Sequence, residues 1–220
     1  MTRLRYLLCA GTLAASSLSA GADEWRFGVY LDERPIGSHT FRVIDEAQGR
    51  RVESDARFTI RFLFFNAYTY EHRARERWDG DCLRAIDSNT DDNGDIIRLR
   101  GMHRSSGFTL QTPQGETTLP ACVMTFAYWN PVMLSQSRLI NAQSGELLEV
   151  RVEPLGEEVL TVLGEPLAAR RYALHTAKFR IDVWYDADER WVQLESYTES
   201  GRLLRYRLQT VTAAETEIPS

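Results

Sequence analysis

Apolar and polar residues alternate with a period of two along most of this chain, and that rhythm narrows its fold more than any other property. Between Tyr68 and Trp78 the even positions are Tyr68, Tyr70, His72, Ala74, Glu76 and Trp78, and the odd ones are Thr69, Glu71, Arg73, Arg75 and Arg77. Successive side chains of a strand point to opposite faces, so the segment has one enclosed face and one solvated, charged face. A helix would scatter the same arginines around its circumference. Trp25, Phe27, Val29 and Leu31 alternate in the same way with Arg26, Gly28, Tyr30 and Asp32, and Val52, Ser54, Ala56, Phe58 and Ile60 alternate with Glu53, Asp55, Arg57 and Thr59.

Turn residues punctuate these segments. Glu33-Arg-Pro-Ile-Gly37 predicts a turn before a returning strand from Gly37 to Ile44, Asp79-Gly80 another, and Asn93-Gly94 a two-residue hairpin. A smaller hairpin follows through Pro113-Gln-Gly115. Later segments at 147–152, 159–163, 168–176, 179–185, 191–197 and 203–209 also read as strands, separated by turns at Leu155-Gly156, Gly164-Glu-Pro166, Asp186-Ala-Asp188 and Ser200-Gly201. Many short strands with regular turns predict a mainly β fold. The expectation is one strongly curved antiparallel sheet, a half-barrel or open barrel, with one short helix packed in or against its concave face.

That helix is expected where the alternation fails. Cys122-Val-Met-Thr-Phe-Ala-Tyr-Trp-Asn-Pro-Val-Met-Leu134 gathers two methionines and three aromatic rings before and after an Asn-Pro pair. Asn130 suits an N-cap and Pro131 the first helical position, so a helix is predicted from Pro131 to about Ser137.

The first residues read as an export leader. Met1-Thr-Arg-Leu-Arg5 is basic, Tyr6 to Leu18 is apolar, and Ala20-Gly21-Ala22 suits cleavage, which gives a leader over 1–22 and a mature start near Asp23. The apolar part is shorter than the ~20 residues that span a bilayer, and no later run is long enough for a membrane helix. Cys9 follows Leu7-Leu8 with no small residue before it, which argues against a lipid-anchored cysteine. The remaining chain is expected to be one antiparallel β domain over 23–212, with a polar tail over 213–220, in the periplasm.

Loss of Arg3 and Arg5 takes the net charge from −5 to −7, which excludes nucleic acid as an expected partner, since phosphate binding needs a basic face. Lys178 is the only lysine among 26 basic residues, a bias assigned to composition rather than recognition. Cys82 and Cys122 remain after processing, and an even pair in an oxidising compartment predicts one disulfide.

Motifs for chemistry are sparse. Ser88-Asn-Thr-Asp-Asp-Asn-Gly-Asp95 has the look of a calcium loop, but Arg100 stands where the bidentate Glu is required, so a hairpin tip is preferred and no metal or cofactor is expected. His39, His72, His103 and His175 are scattered, with no metalloprotease helix, nucleophile elbow or phosphate loop. His72 and Glu76 share a face with Tyr68, Tyr70 and Trp78, yet four residues along a strand separate them by about 13 Å, beyond direct bonding. His39 shares a face with Phe41 and Val43 and reads as an internal, hydrogen-bonded histidine. Aromatic residues are abundant, among them Phe62, Phe64, Phe65, Phe126, Tyr128 and Trp129.

Four stretches together carry a resemblance: Tyr30-Leu-Asp-Glu-Arg-Pro-Ile-Gly-Ser-His39, Thr90-Asp-Asp-Asn-Gly94, Leu119-Pro-Ala-Cys-Val-Met-Thr-Phe-Ala-Tyr-Trp-Asn-Pro131 and Ile181-Asp-Val-Trp-Tyr185. In these the chain resembles domain-of-unknown-function family 6134, exported proteins of Gram-negative bacteria, over nearly the whole mature length. The resemblance implies export and brings no activity or catalytic residues. More loosely, Asp182-Val-Trp-Tyr-Asp186, Trp191-Val-Gln-Leu-Glu195 and Gly201-Arg-Leu-Leu-Arg-Tyr206 resemble another exported family, itself similar to the half-barrels of periplasmic lipoprotein carriers.

The expected function is non-enzymatic binding of a lipid or other hydrophobic small molecule between sheet and helix. Met124, Phe126, Tyr128, Trp129 and Met133 would form one wall, Tyr68, Tyr70 and Trp78 the other, with His72 or Glu76 orienting a polar end. This requires a cavity above about 300 Å³. The alternatives are a hydrolase using His72 with a carboxylate, which requires the two within hydrogen-bond reach, and an envelope scaffold or assembly protein, which requires a filled core and an exposed apolar patch or edge. No protein partner is specified by the sequence.

Overall fold

The structure, a computed structural model, describes residues 22–62 and 65–212, with side chains described outside 61–66. The expected leader, the polar tail and the rings of Phe62, Phe64 and Phe65 therefore lie outside the described residues.

Strands β1 (Ala22–Leu31), β2 (Arg34–Glu46), β3 (Gly49–Phe62), β4 (Phe65–Asp79), β5 (Cys82–Asp92), β6 (Asp95–Arg104), β7 (Gly107–Thr112) and β8 (Gly115–Leu119) run as consecutive hairpins. Residues 120–150 then leave the meander, carrying a five-residue 3-10 turn (Pro131–Ser135) and the short strands β9 (Arg138–Ile140) and β10 (Leu147–Glu149). The meander resumes with β11 (Arg151–Val162), β12 (Glu165–His175), β13 (Arg180–Tyr185), β14 (Trp191–Tyr197) and β15 (Leu203–Thr212). The main sheet has thirteen antiparallel strands in the order β11-β12-β13-β14-β15-β1-β2-β3-β4-β5-β6-β7-β8. Because β15 pairs with β1, the two sheet edges, β11 and β8, fall in mid-chain, and the 120–150 insert is the connection between them. The sheet is open.

It is also strongly curved. Thr90 on β5 bonds the Gln143 carbonyl, while Lys178, just before β13, bonds Glu146 only three residues further along. Seven strand spacings separate β13 from β5, which on a flat sheet would be about 34 Å. Rings three strands apart meet as well: Phe58 on β3 and Tyr206 on β15 lie 6.1 Å apart, and Phe41 on β2 and Trp191 on β14 5.1 Å. Only a sheet bent around its inner face brings these together.

The inner face is the one the alternation marks. Trp25, Phe27, Val29 and Leu31 are buried on β1, Phe41 and Val43 on β2, and Tyr70, His72, Glu76 and Trp78 on β4. On the outer face arginines and carboxylates pair across strands, as in Arg42–Glu24 and Arg73–Asp55. Strand β2 needs glycine at position 37, where a Cβ would sit 1.9 Å from the Arg57 carbonyl oxygen on β3.

Local readings are adjusted at four places, the first being the strand expected over 147–152, which is divided between β10 in the two-stranded sheet and the start of β11 in the main sheet. The first hairpin turns at Asp32-Glu33, both at positive φ (46° and 67°), rather than at Glu33–Gly37. Asp32 accepts from Leu203 N, and Glu33 pairs with Arg205 and Arg207, which holds a conformation glycine would adopt more readily. Leu155-Gly156 is a bulge within β11, not a turn, with Gly156 at φ 98°. The expected Pro131–Ser137 helix is the single 3-10 turn Pro131–Ser135: Asn130 caps it by accepting from Val132 N at 3.1 Å, but Gln136 is already extended. Its one buried residue is Met133, an apolar contact too small to propagate a longer helix.

Candidate functional site

The insert folds back over the inner face. Cys82, the first residue of β5, is joined to Cys122 by a disulfide, and Leu83 N donates to Val123 O beside it. The Asn130 side chain donates to Asp81 in the β4–β5 turn. On the far side Tyr185 of β13 donates its hydroxyl to the Tyr128 carbonyl at 2.9 Å, and Tyr128 lies 5.0 Å from Trp191. Ser88 on β5 bonds the Ala142 carbonyl. Met124, Met133, Leu139 and Ile140 are buried and form the insert's own share of the core.

Sheet and insert do not close completely on each other. Between them lies a cavity of about 700 Å³, within the range of small-molecule sites. Its existence follows from residue size. The inner face carries Ser54 and Ala56 on β3, Ala74 on β4 and Ser88 on β5, a band of small side chains that follows the large rings of β14, β1 and β2 across the sheet. Ser54 and Ala74 form part of the cavity wall, and Phe41, Phe126, Tyr128, Phe179 and Tyr206 supply its aromatic surface.

Three titratable groups are set into this wall. Glu76 is buried and lifted to about 7, because desolvation outweighs the bonds from Trp78 Nε1 (2.9 Å) and the Thr125 side chain. His72 is pushed down to about 4 by desolvation. Its Nδ1 lies 2.9 Å from the Thr90 hydroxyl, which itself donates to the Gln143 carbonyl, so Nδ1 is the donor, and desolvation disfavours the charged ring. Burial also holds His39 well below the ordinary histidine range; Nε2 bonds Ser54 Oγ at 2.7 Å, and Nδ1 has no partner. His39 and His72 stand in one cross-strand row with Ala56 between them. His72 faces a hydroxyl and Glu76 an indole, so neither geometry pairs acid with base.

Of the ten residues singled out from the sequence, His72, Glu76, Phe126, Tyr128 and Trp129 line the cavity. The others do not line it. Trp78 packs edge-on against Trp129 at 5.5 Å, Tyr70 stacks on Phe58 at 5.1 Å, and Met124 and Met133 are core. Tyr68 bonds Asp92, and burial raises its hydroxyl. The alternation brings His39 to the wall but not its bordering role, and nothing local in the sequence points to Gln143, Glu146, Lys178 or Phe179, which come from loops that only the tertiary fold assembles.

The Asn93-Gly94 segment is a tight hairpin turn, with φ of 54° and 101° and Asp91 Oδ1 accepting from Gly94 N at 2.8 Å. That accounts for its polar residues without an ion. No group of three or more metal-ligating side chains occurs among the described residues, and no helix among them is long and apolar enough to cross a membrane.

Comparison with solved structures finds the same fold in a β-barrel-like protein of domain of unknown function DUF1849 from Brucella abortus, at a TM-score of 0.66 and 7% identity, covering 90% of this chain and 100% of that one. A putative lipoprotein from Parabacteroides distasonis aligns at a TM-score of 0.36 and 11% identity over 88% of this chain and 96% of that one. No curated protein matches the chain. Residues 27–209 match the family described as a domain of unknown function, DUF6134, and the chain belongs to that family.

Proposed function

We propose that this member of the DUF6134 family is a periplasmic carrier, holding an apolar or lipid-like molecule between the curved sheet and the 120–150 insert. The observation that supports it is the cavity of about 700 Å³ with its aromatic wall. At ~30 Å³ per water-sized group, that volume admits at most on the order of 20 non-hydrogen atoms, the size of one acyl chain or a small polycyclic lipid. Phe126, Tyr128 and Trp129 belong to the insert and offer flat apolar contact, while His72 and Glu76 offer hydrogen bonds to a polar end. Chemistry is the weaker reading, because His72 and Glu76 are each engaged by a neutral partner.

Native mass spectrometry of protein isolated from periplasm should show a bound lipid-sized adduct. Ala74→Leu, which fills the floor of the cavity, should lose that adduct and weaken binding of a neutral fluorescent apolar probe by ~10-fold or more. An adduct-free protein that fails to take up the probe, or a filled variant that binds it as well as the parent, would refute the carrier reading. Sequencing the N-terminus of the same material tests the expected processing near Asp23.

A further inference from the structure

The charge around the cavity is lopsided. Four carboxylates line it: Glu76 buried within, and the exposed Asp92, Glu146 and Glu199 at the rim. The single lining ammonium among the described residues, Lys178, is already bonded to Glu146 at 2.5 Å. No arginine of the described residues borders the space. Glu76 meets no cation there either, since its bonds come from an indole and a hydroxyl. His39, nine-tenths buried and with Nδ1 unpartnered, borders the same space as a neutral ring.

A carboxylate or phosphate on a ligand would enter this field against like charge, with no free cation to receive it. An ammonium would meet carboxylates and aromatic side chains, both of which attract cations when water is excluded. Discrimination of this sort arises as much from repelling the wrong ligand as from holding the right one.

We propose that the cavity selects amphiphiles with a cationic, amine-type polar end and rejects carboxylate and phosphate ends, with Glu76 as the residue that reads the charge. This rests on the carrier reading above and adds the chemical class of the cargo.

Three ten-carbon probes of equal apolar length test it: decyltrimethylammonium, decanol and decanoate, each competing with the neutral dye N-phenyl-1-naphthylamine at pH 8. The ammonium should displace the dye at ~10-fold lower concentration than decanoate, with decanol between them. Glu76→Gln should shrink the ammonium-to-decanoate ratio by several-fold. In the parent protein, about 0.5 M salt should reduce the part of the ratio that comes from the exposed rim carboxylates, a measurement that stands even if the variant does not fold. Decanoate binding as tightly as the ammonium, or a ratio unmoved by both salt and Glu76→Gln, overturns the charge assignment while leaving the carrier reading intact. Displacement by none of the three, or equal displacement in Ala74→Leu, overturns the carrier reading itself.

Discussion

Replacing Glu76 with glutamine removes a charge that the fold holds at a thermodynamic cost. The carboxyl is buried against Trp78 and Thr125 and raised from 4.5 to about 7. Between those values the folded protein binds the proton more tightly than the unfolded chain, so stability falls as pH rises through this window. At 1.4 kcal/mol per tenfold change in ionisation constant, the penalty is about 3 kcal/mol once both states are ionised, and it vanishes below pH ~4.5. His72 acts in the opposite sense. Lowered from 6.5 to about 4, it is neutral in the fold while the unfolded chain takes up a proton, so stability is lost as pH falls through that range. In the parent protein the two slopes offset each other between about pH 4.5 and 6.5. Glu76→Gln keeps the side-chain shape and an oxygen for the indole to bond, but exposes the His72 slope alone. Urea denaturation from pH 4 to 9 should therefore show variant and parent equally stable near pH 4, with the variant pulling ahead by about 3 kcal/mol at pH 8. Parallel stability curves, or a variant that loses ground as pH rises, would refute the assignment of a desolvated carboxyl at this position.

Three further substitutions probe the architecture. The Cys82–Cys122 bond closes a loop of 40 residues, worth about 4 kcal/mol in the chain-entropy model; Cys82→Ser with Cys122→Ser should lose stability of that order in chemical denaturation. Gly37→Ala drives a methyl group into the Arg57 carbonyl on β3 and should cost about 1–3 kcal/mol, visible as a lowered Tm. Tyr185→Phe deprives the Tyr128 carbonyl of its donor and should cost about 1–3 kcal/mol for the unsatisfied group, with faster hydrogen exchange across the insert as the local signature.

The strand content and the identity of the inner face were legible in the sequence because a period of two depends only on nearest-neighbour geometry. The odd positions from Trp25 to Leu31 and the even positions from Tyr68 to Trp78 face inward as the alternation marked them. The disulfide followed from the two cysteines outside the expected leader, and Asn130 was readable as a cap from the residue after it. Helix length at Pro131–Ser135 was not legible, because it depends on what the apolar residues pack against. Nor was the bulge at Leu155-Gly156, where a glycine that reads as a turn is carried along by pairing with β12.

The sequence by itself thus determined the strands and their buried face, since both are written in side-chain type and spacing along a few neighbouring positions. Only the tertiary structure decided that the sheet's edges lie in mid-chain, that residues 120–150 cover its concave face, and that a cavity remains between them. The reason is physical: a cavity is volume left unfilled by groups far apart in the chain. Ala74 on β4 and Gln143, Lys178 and Tyr206 come from four distant segments, and nothing in the local pattern of any one records the presence of the others.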